Sequence, residues 1–175
     1  MTLFRHGIVE TDDWIFPADD APLPTIGRVA VPKARFIVER AALLEHPDPI
    51  GIVLVAGDDL DGIVADLARL TLIALRFPRY TDGRPYSLAR MLRDRHGFAG
   101  EIRATGNVLR DQVAFILRAG FDALDVTHPG TVAALRTRQI VAVNRHYQPA
   151  SRETAEDHPG GRPWLRRTTG LAAGV

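Results

Sequence analysis

Two groups of charged residues in this chain have the make-up of a site. Thr81-Asp82-Gly83-Arg84 sets a carboxylate and a guanidinium around a glycine, just ahead of a helix predicted to begin near Ser87. Unpaired N–H groups at a helix start and an arginine fork together suit a small oxyanion, with Thr81, Gly83, Arg84 and Ser87 as its contacts. The same residues also read as a turn held by an Asp–Arg pair. Glu101 and Arg103 stand two apart in a predicted strand and so point to one side, where Arg103 becomes a second anion contact. Asn107, at the next predicted helix start, is both a cap candidate and an anion contact. Asp82 and Glu101 are the candidate catalytic acid/base residues, because burial beside charge shifts a pKa. The competing reading makes Arg76, Glu101 and Arg103 a structural ion network. His128, before Pro129, reads as a turn residue at the same rim.

The elements that must position these groups follow a repeat. Short apolar strands are predicted at Gly51–Ala56, Thr71–Phe77, Glu101–Thr105 and Ala123–Thr127, and amphipathic helices at about Leu60–Leu70, Ser87–His96, Val108–Ala119 and Thr131–Tyr147. Asp58 or Asp59, Ser87 and Asn107 are the N-cap candidates, and Gly97 and Gly120 the glycines that end helices. An N-terminal helix, begun at Pro32 and stopped by Pro47 and Pro49, precedes the four units. Residues 1–30 read as an irregular lead-in, residues 1–147 as a single α/β domain, and residues 148–175 as a flexible tail.

Alternation of strand and helix implies parallel strands with right-handed crossovers. Arg76, Glu101, Arg103, Thr105 and Asp125 share one parity, and apolar residues the other. Burying such charges under helices is expensive, whereas a polar inner wall with apolar residues outside is what a barrel requires. The expected fold is therefore a half-(βα)8 barrel of four βα units, completed by a second copy in a homodimer. An open flavodoxin-like sheet with strand-end charges reaching solvent is the alternative.

Composition removes several function classes. At 175 residues, 46% apolar and net charge +1, the chain has material for one core that buries about 70% of the unfolded surface. With no cysteine there is no thiol chemistry and no cysteine-ligated metal. The six histidines form no i, i+4 pair, so no metal site is expected. Balanced charge with few aromatics among the arginines disfavours nucleic acid, and the absence of a long apolar run disfavours a membrane. No G-x-G-x-x-G, P-loop or G-x-S-x-G pattern is present, so no cofactor is evident. A cytoplasmic protein is expected.

Phe77-Pro78, Thr81-Asp82-Gly83-Arg84, Tyr86-Ser87, Ala89-Arg90, Leu92-Arg93, Gly100-Glu101, Arg103-Ala104, Val108-Leu109-Arg110-Asp111-Gln112 and Gly120-Phe121-Asp122-Ala123 resemble a bacterial family labelled domain of unknown function 934. The resemblance implies a role as an oxidoreductase or accessory protein of assimilatory sulfite reduction, with sulfite reductase as partner. Its C-terminal part, Pro163-Trp164-Leu165-Arg166-Arg167, becomes the expected docking segment. Where the family often has Cys, this chain has Ala119. Two functions follow as expectations: an accessory that binds the reductase or a small oxyanion, or a small half-barrel enzyme with an Asp/Arg rim site and a borrowed flavin or NADPH.

Overall fold

A computed structural model describes residues 2–5 and 8–137. Eight strands form one mixed sheet: β1 (Thr2–Arg5), β2 (Ile8–Glu10), β3 (Trp14–Ile15), β4 (Arg28–Pro32), β5 (Ile50–Leu54), β6 (Leu70–Phe77), β7 (Glu101–Gly106) and β8 (Ala123–Val126), in the order β2-β1-β8-β7-β6-β5-β4-β3. Neighbours from β3 to β8 are parallel, while β1 runs antiparallel to both β8 and β2. Because β3 to β8 follow one another without reversal, right-handed crossovers place every connection on one face. The helices α1 (Lys33–Val38), α2 (Arg40–Leu44), α3 (Arg84–Asp94), α4 (Val113–Arg118) and α5 (Pro129–Arg136) accordingly share a core with that face. Phe36, Leu43, Ala89, Leu92, Ile116 and Leu135 pack there against Val31, Ile52, Ile73, Leu75, Ile102 and Leu124.

Chain length dictates the curvature. In a flat sheet the edge strands β2 and β3 would lie seven spacings apart, about 33 Å. Only residues 11–13 join them, and four Cα steps reach about 14 Å at most. The sheet must therefore curl until its edges approach, giving a half-barrel of parallel strands whose open side is narrowed by β1–β3. The helix-free face becomes the interior.

Several sequence expectations are corrected. The lead-in is not irregular: residues 1–30 supply three strands and most of a fourth, and β1–β3 narrow the open side of the half-barrel. Apart from the local β1–β2 hairpin their pairings are with partners 14 or more residues away, and each is only two to four residues long, too short for a periodicity to mark it. No helix forms over Leu60–Leu70. Ile63, Asp66, Leu67, Arg69 and Leu70 each donate to the carbonyl three residues back, and the only regular segment is a 3-10 turn at Val64–Asp66. Gly62 at φ +79° breaks the start, and Arg40 grips the buried Asp66 carboxylate with two 2.7 Å bonds. The helix expected from Pro32 is two short helices interrupted at Glu39, and it follows a strand instead of leading the fold. The part of the Thr131–Tyr147 helix beyond Thr137, and the tail, lie outside the described residues.

Candidate functional site

The interior has an apolar half and a charged half. Over β4–β6, Trp14 packs with Ala30, Leu72 and Val53. Gly51 makes room for its ring: a Cβ there would lie 3.1 Å from the indole and 2.9 Å from Leu72 Cβ. Over β7, β8 and β1 the same face carries Glu101, Arg103, Asp125 and Arg5. Arg103 has no exposed surface, yet it donates from Nε to Glu101 Oε1 and from Nη1 to Asp12 Oδ2, both at 2.7 Å. The other oxygen of Glu101 accepts from Arg5 at 3.0 Å, and Arg5 also pairs with Glu10 at 2.7 Å. Two polar atoms in this interior lack a partner among the described residues, Arg103 Nη2 and Asp125 Oδ1. Burial pushes the Asp125 carboxyl up, partly opposed by the nearby Arg103 and reinforced by Asp12.

A second feature lies at the carboxyl ends of β5 and β6, where parallel strands direct their loops. Leu54, Asp58, Arg76, Asp82, Arg84 and Leu88 line a shallow hollow there. Within it the Thr81–Arg84 turn is self-contained. Arg84 Nε and Nη2 reach Asp82 Oδ1 and Oδ2 at 2.9 and 2.6 Å, and the Arg84 backbone N–H donates to Oδ1 at 3.0 Å. The Arg84 guanidinium holds the Asp82 carboxyl down at about 2, and Arg84 is raised in return. A carboxylate of the chain thus already faces the helix start, where an external anion was expected to sit. Arg76 is exposed in this hollow and makes no ion pair among the described residues.

Placed on the structure, the sequence candidates separate into two groups. Asp82, Gly83, Arg84 and Ser87 belong to the helical layer at the rim, and Glu101 and Arg103 to the opposite face of the sheet. Arg84 and Arg103 therefore have different partners and do not converge. Ser87 does not cap α3, which begins three residues earlier with Pro85 in its first turn. Asn107 is no helix cap either, since its N–H continues the sheet to Phe77 O at 2.9 Å and a 3-10 turn at Arg110–Gln112 precedes α4. Thr81 is exposed in the turn. His128 caps α5, its Nδ1 accepting from the Thr131 N–H at 3.3 Å. Pro163, Trp164, Leu165, Arg166 and Arg167 lie outside the described residues.

Sequence reasoning passed over Asp12, Arg5 and, as a site residue, Asp125. Only the parity of Asp125 gave any signal. It also passed over Arg93, which lies under the sheet's opposite end. Arg93 donates to Gly120 O at 2.9 Å, to Gly100 O at 2.8 Å, to Phe98 O and to Asp122, whose carboxylate accepts from the Ile102 N–H at 2.8 Å. Several of the motif residues quoted above, Arg93, Gly100, Gly120 and Asp122, are thus one clamp that fixes the entries to β7 and β8.

A curled α/β half-barrel with a charged interior and a rim hollow that mixes apolar and charged side chains is the class of protein these features define. The chain belongs to the family described as bacterial protein of unknown function (DUF934), whose model matches residues 51–157. Neither curated proteins nor solved structures gave a significant match. Among the described residues no helix is long and apolar enough to cross a membrane.

Proposed function

We propose that this protein is an accessory of assimilatory sulfite reduction that acts by binding, either docking on the reductase or holding a small oxyanion at the rim hollow, without redox chemistry of its own. The observation that carries this reading is the state of the two carboxylates suited to acid/base work. Both oxygens of Asp82 are taken by Arg84, and those of Glu101 by Arg103 and Arg5. Held at about 2, Asp82 is also a poor proton acceptor near neutral pH. Arg76 supports binding instead, as an exposed cation at the carboxyl end of β6 among the residues that line the hollow. The sulfur context and the reductase as partner come from the resemblance to the family, and the Pro163–Arg167 segment is the second contact proposed. A small half-barrel enzyme with a borrowed flavin or NADPH competes with this reading, favoured by the hollow's place at the strands' carboxyl ends.

Tagged protein recovered from sulfate-grown cells is expected to be colourless and to co-elute with sulfite reductase, less so after Arg76→Glu or removal of residues 160–175. A yellow preparation, or NADPH-dependent turnover of sulfite by the protein alone, would overturn the proposal in favour of the enzyme.

A further inference from the structure

We propose that the inward edge of Arg103, beside Asp125, is a binding site for a small oxyanion, and that Asp12 is the internal carboxylate that occupies it when no ligand is bound. This site is separate from the rim hollow and stands or falls independently of it.

A guanidinium binds an oxyanion most strongly through two parallel N–H groups. Glu101 holds Arg103 by Nε, which leaves the Nη1–Nη2 edge for a ligand. Asp12 uses that edge by half: Oδ2 takes Nη1, Oδ1 turns to the Trp14 N–H at 3.3 Å, and Nη2 remains unpartnered although Arg103 is fully buried. An unpaired buried donor is costly, so the arrangement calls for a better acceptor than Asp12 supplies.

Register places Asp125 next to that edge. Arg103 stands opposite Ala123 and Thr105 opposite Asp125, so Arg103 and Asp125 are diagonal neighbours on one face. They do not pair with each other, and Asp125, only 5% exposed, keeps Oδ1 unpartnered. Flanking Arg103 in the sheet are Ala74 and Ala123, which carry only methyl groups on that face. An oxyanion with both N–H groups of Arg103 and the acid form of Asp125 as donors would satisfy every unpartnered atom here. Burial moves Asp125 toward that form.

Asp12 is suited to leave. It lies on the three-residue link between β2 and β3, outside any strand, with its side chain 29% exposed. Exchanging its carboxylate for a monovalent oxyanion leaves the buried charge unchanged, so the desolvation of one anion is already met in the resting protein.

Trp14, hydrogen-bonded to Asp12, is the reporter, read in protein carrying Trp164→Phe. Its fluorescence is followed on titration with sodium acetate, sodium sulfate and, at matched ionic strength, sodium chloride. The expected result is a saturable change with acetate or sulfate but not chloride, with half-saturation lowered about tenfold or more in the D12N variant, where the competing charge is gone. Acetate, a planar monoanion, tests the charge-neutral exchange directly, and sulfate, a tetrahedral dianion, tests whether the site takes an extra charge. If D12N does not fold in chloride, folding restored by acetate or sulfate supports the site. Failure in all three salts, or responses no different from chloride, overturns it.

Discussion

Replacing Arg103 by methionine removes the cation that joins Glu101 and Asp12 while keeping an unbranched chain in a fully buried position. Breaking a buried pair from one side costs roughly 3–5 kcal/mol, because the remaining charge stays desolvated. Here the lower end applies. Glu101 keeps Arg5 at 3.0 Å, and Asp12, with 29% of its side chain exposed, turns back to water. The expected loss is about 3 kcal/mol, a fall in Tm of about 6–12 °C for a chain of this length. Urea unfolding followed by far-UV circular dichroism measures the loss, and Trp14 fluorescence, read in protein carrying Trp164→Phe, reports whether the β2–β3 link loosens with it. Adding Glu101→Gln to Arg103→Met should recover part of the loss, since the second change removes a carboxylate that the first leaves with one of its two cations, while Arg5 keeps Glu10. A loss below about 1 kcal/mol for Arg103→Met, or strict additivity in the double variant, would refute the argument that these groups form one buried network.

Three further outcomes are expected. Gly106→Ala places a Cβ 2.5 Å from Phe77 O at a φ of +89°, so destabilisation of about 2 kcal/mol or more is expected in the same urea assay; a neutral result would mean the rim backbone relaxes freely. Arg93→Lys cannot reach the three carbonyls and the Asp122 carboxylate together, and a loss of about 3 kcal/mol is expected, with hydrogen exchange accelerated first at Ile102, whose N–H shares that carboxylate. The Asp82 carboxyl is depressed from its ordinary value of about 3.9 to about 2, so its stabilising contribution is complete above pH about 4 and is lost as pH falls through about 2. A carbon-13 NMR titration should find its midpoint near 2 and move it upward in Arg84→Ala; an unshifted midpoint in the parent protein would reject the turn geometry.

What was legible in the sequence is what local pattern encodes. The four apolar strands from Gly51 to Thr127 stand within two residues of β5 to β8, and the parity that set Glu101, Arg103 and Asp125 against Ile102, Ala104 and Leu124 separates the interior from the helical core. Gly97 and Gly120 end α3 and α4 with positive φ, as their positions implied. What stayed hidden depended on distant partners. Trp14–Ile15 becomes a strand only because β4 lies beside it, and Leu60–Leu70 loses its helix to Gly62 and to the hold of Arg40 on Asp66. The site was half legible for the same reason. Asp82 and Arg84 are neighbours in sequence and do pair, but the partner of Arg103 that matters is 91 residues away.

That long-range pairing bears on where the working unit begins. The family match opens at Gly51, so Glu101, Arg103 and Asp125 lie inside it, whereas Arg5, Glu10, Asp12 and Trp14 lie before it. Strands β5–β8 carry charges on a face that their own helices do not cover. Left to water, that face would make an ordinary solvated sheet surface, and Glu101 and Arg103 would be a weak exposed pair. Strands β1–β3 and the link at residues 11–13 change its character by running from one sheet edge to the other: they supply Asp12 as the second anion of the fully buried Arg103 and lay Trp14 over Gly51. The chemistry of the interior is therefore a property of β7 and β8 together with the strap that closes over them. Under the proposed exchange Asp12 would expose Arg103 from a link that belongs to no strand, so no strand pairing would have to break.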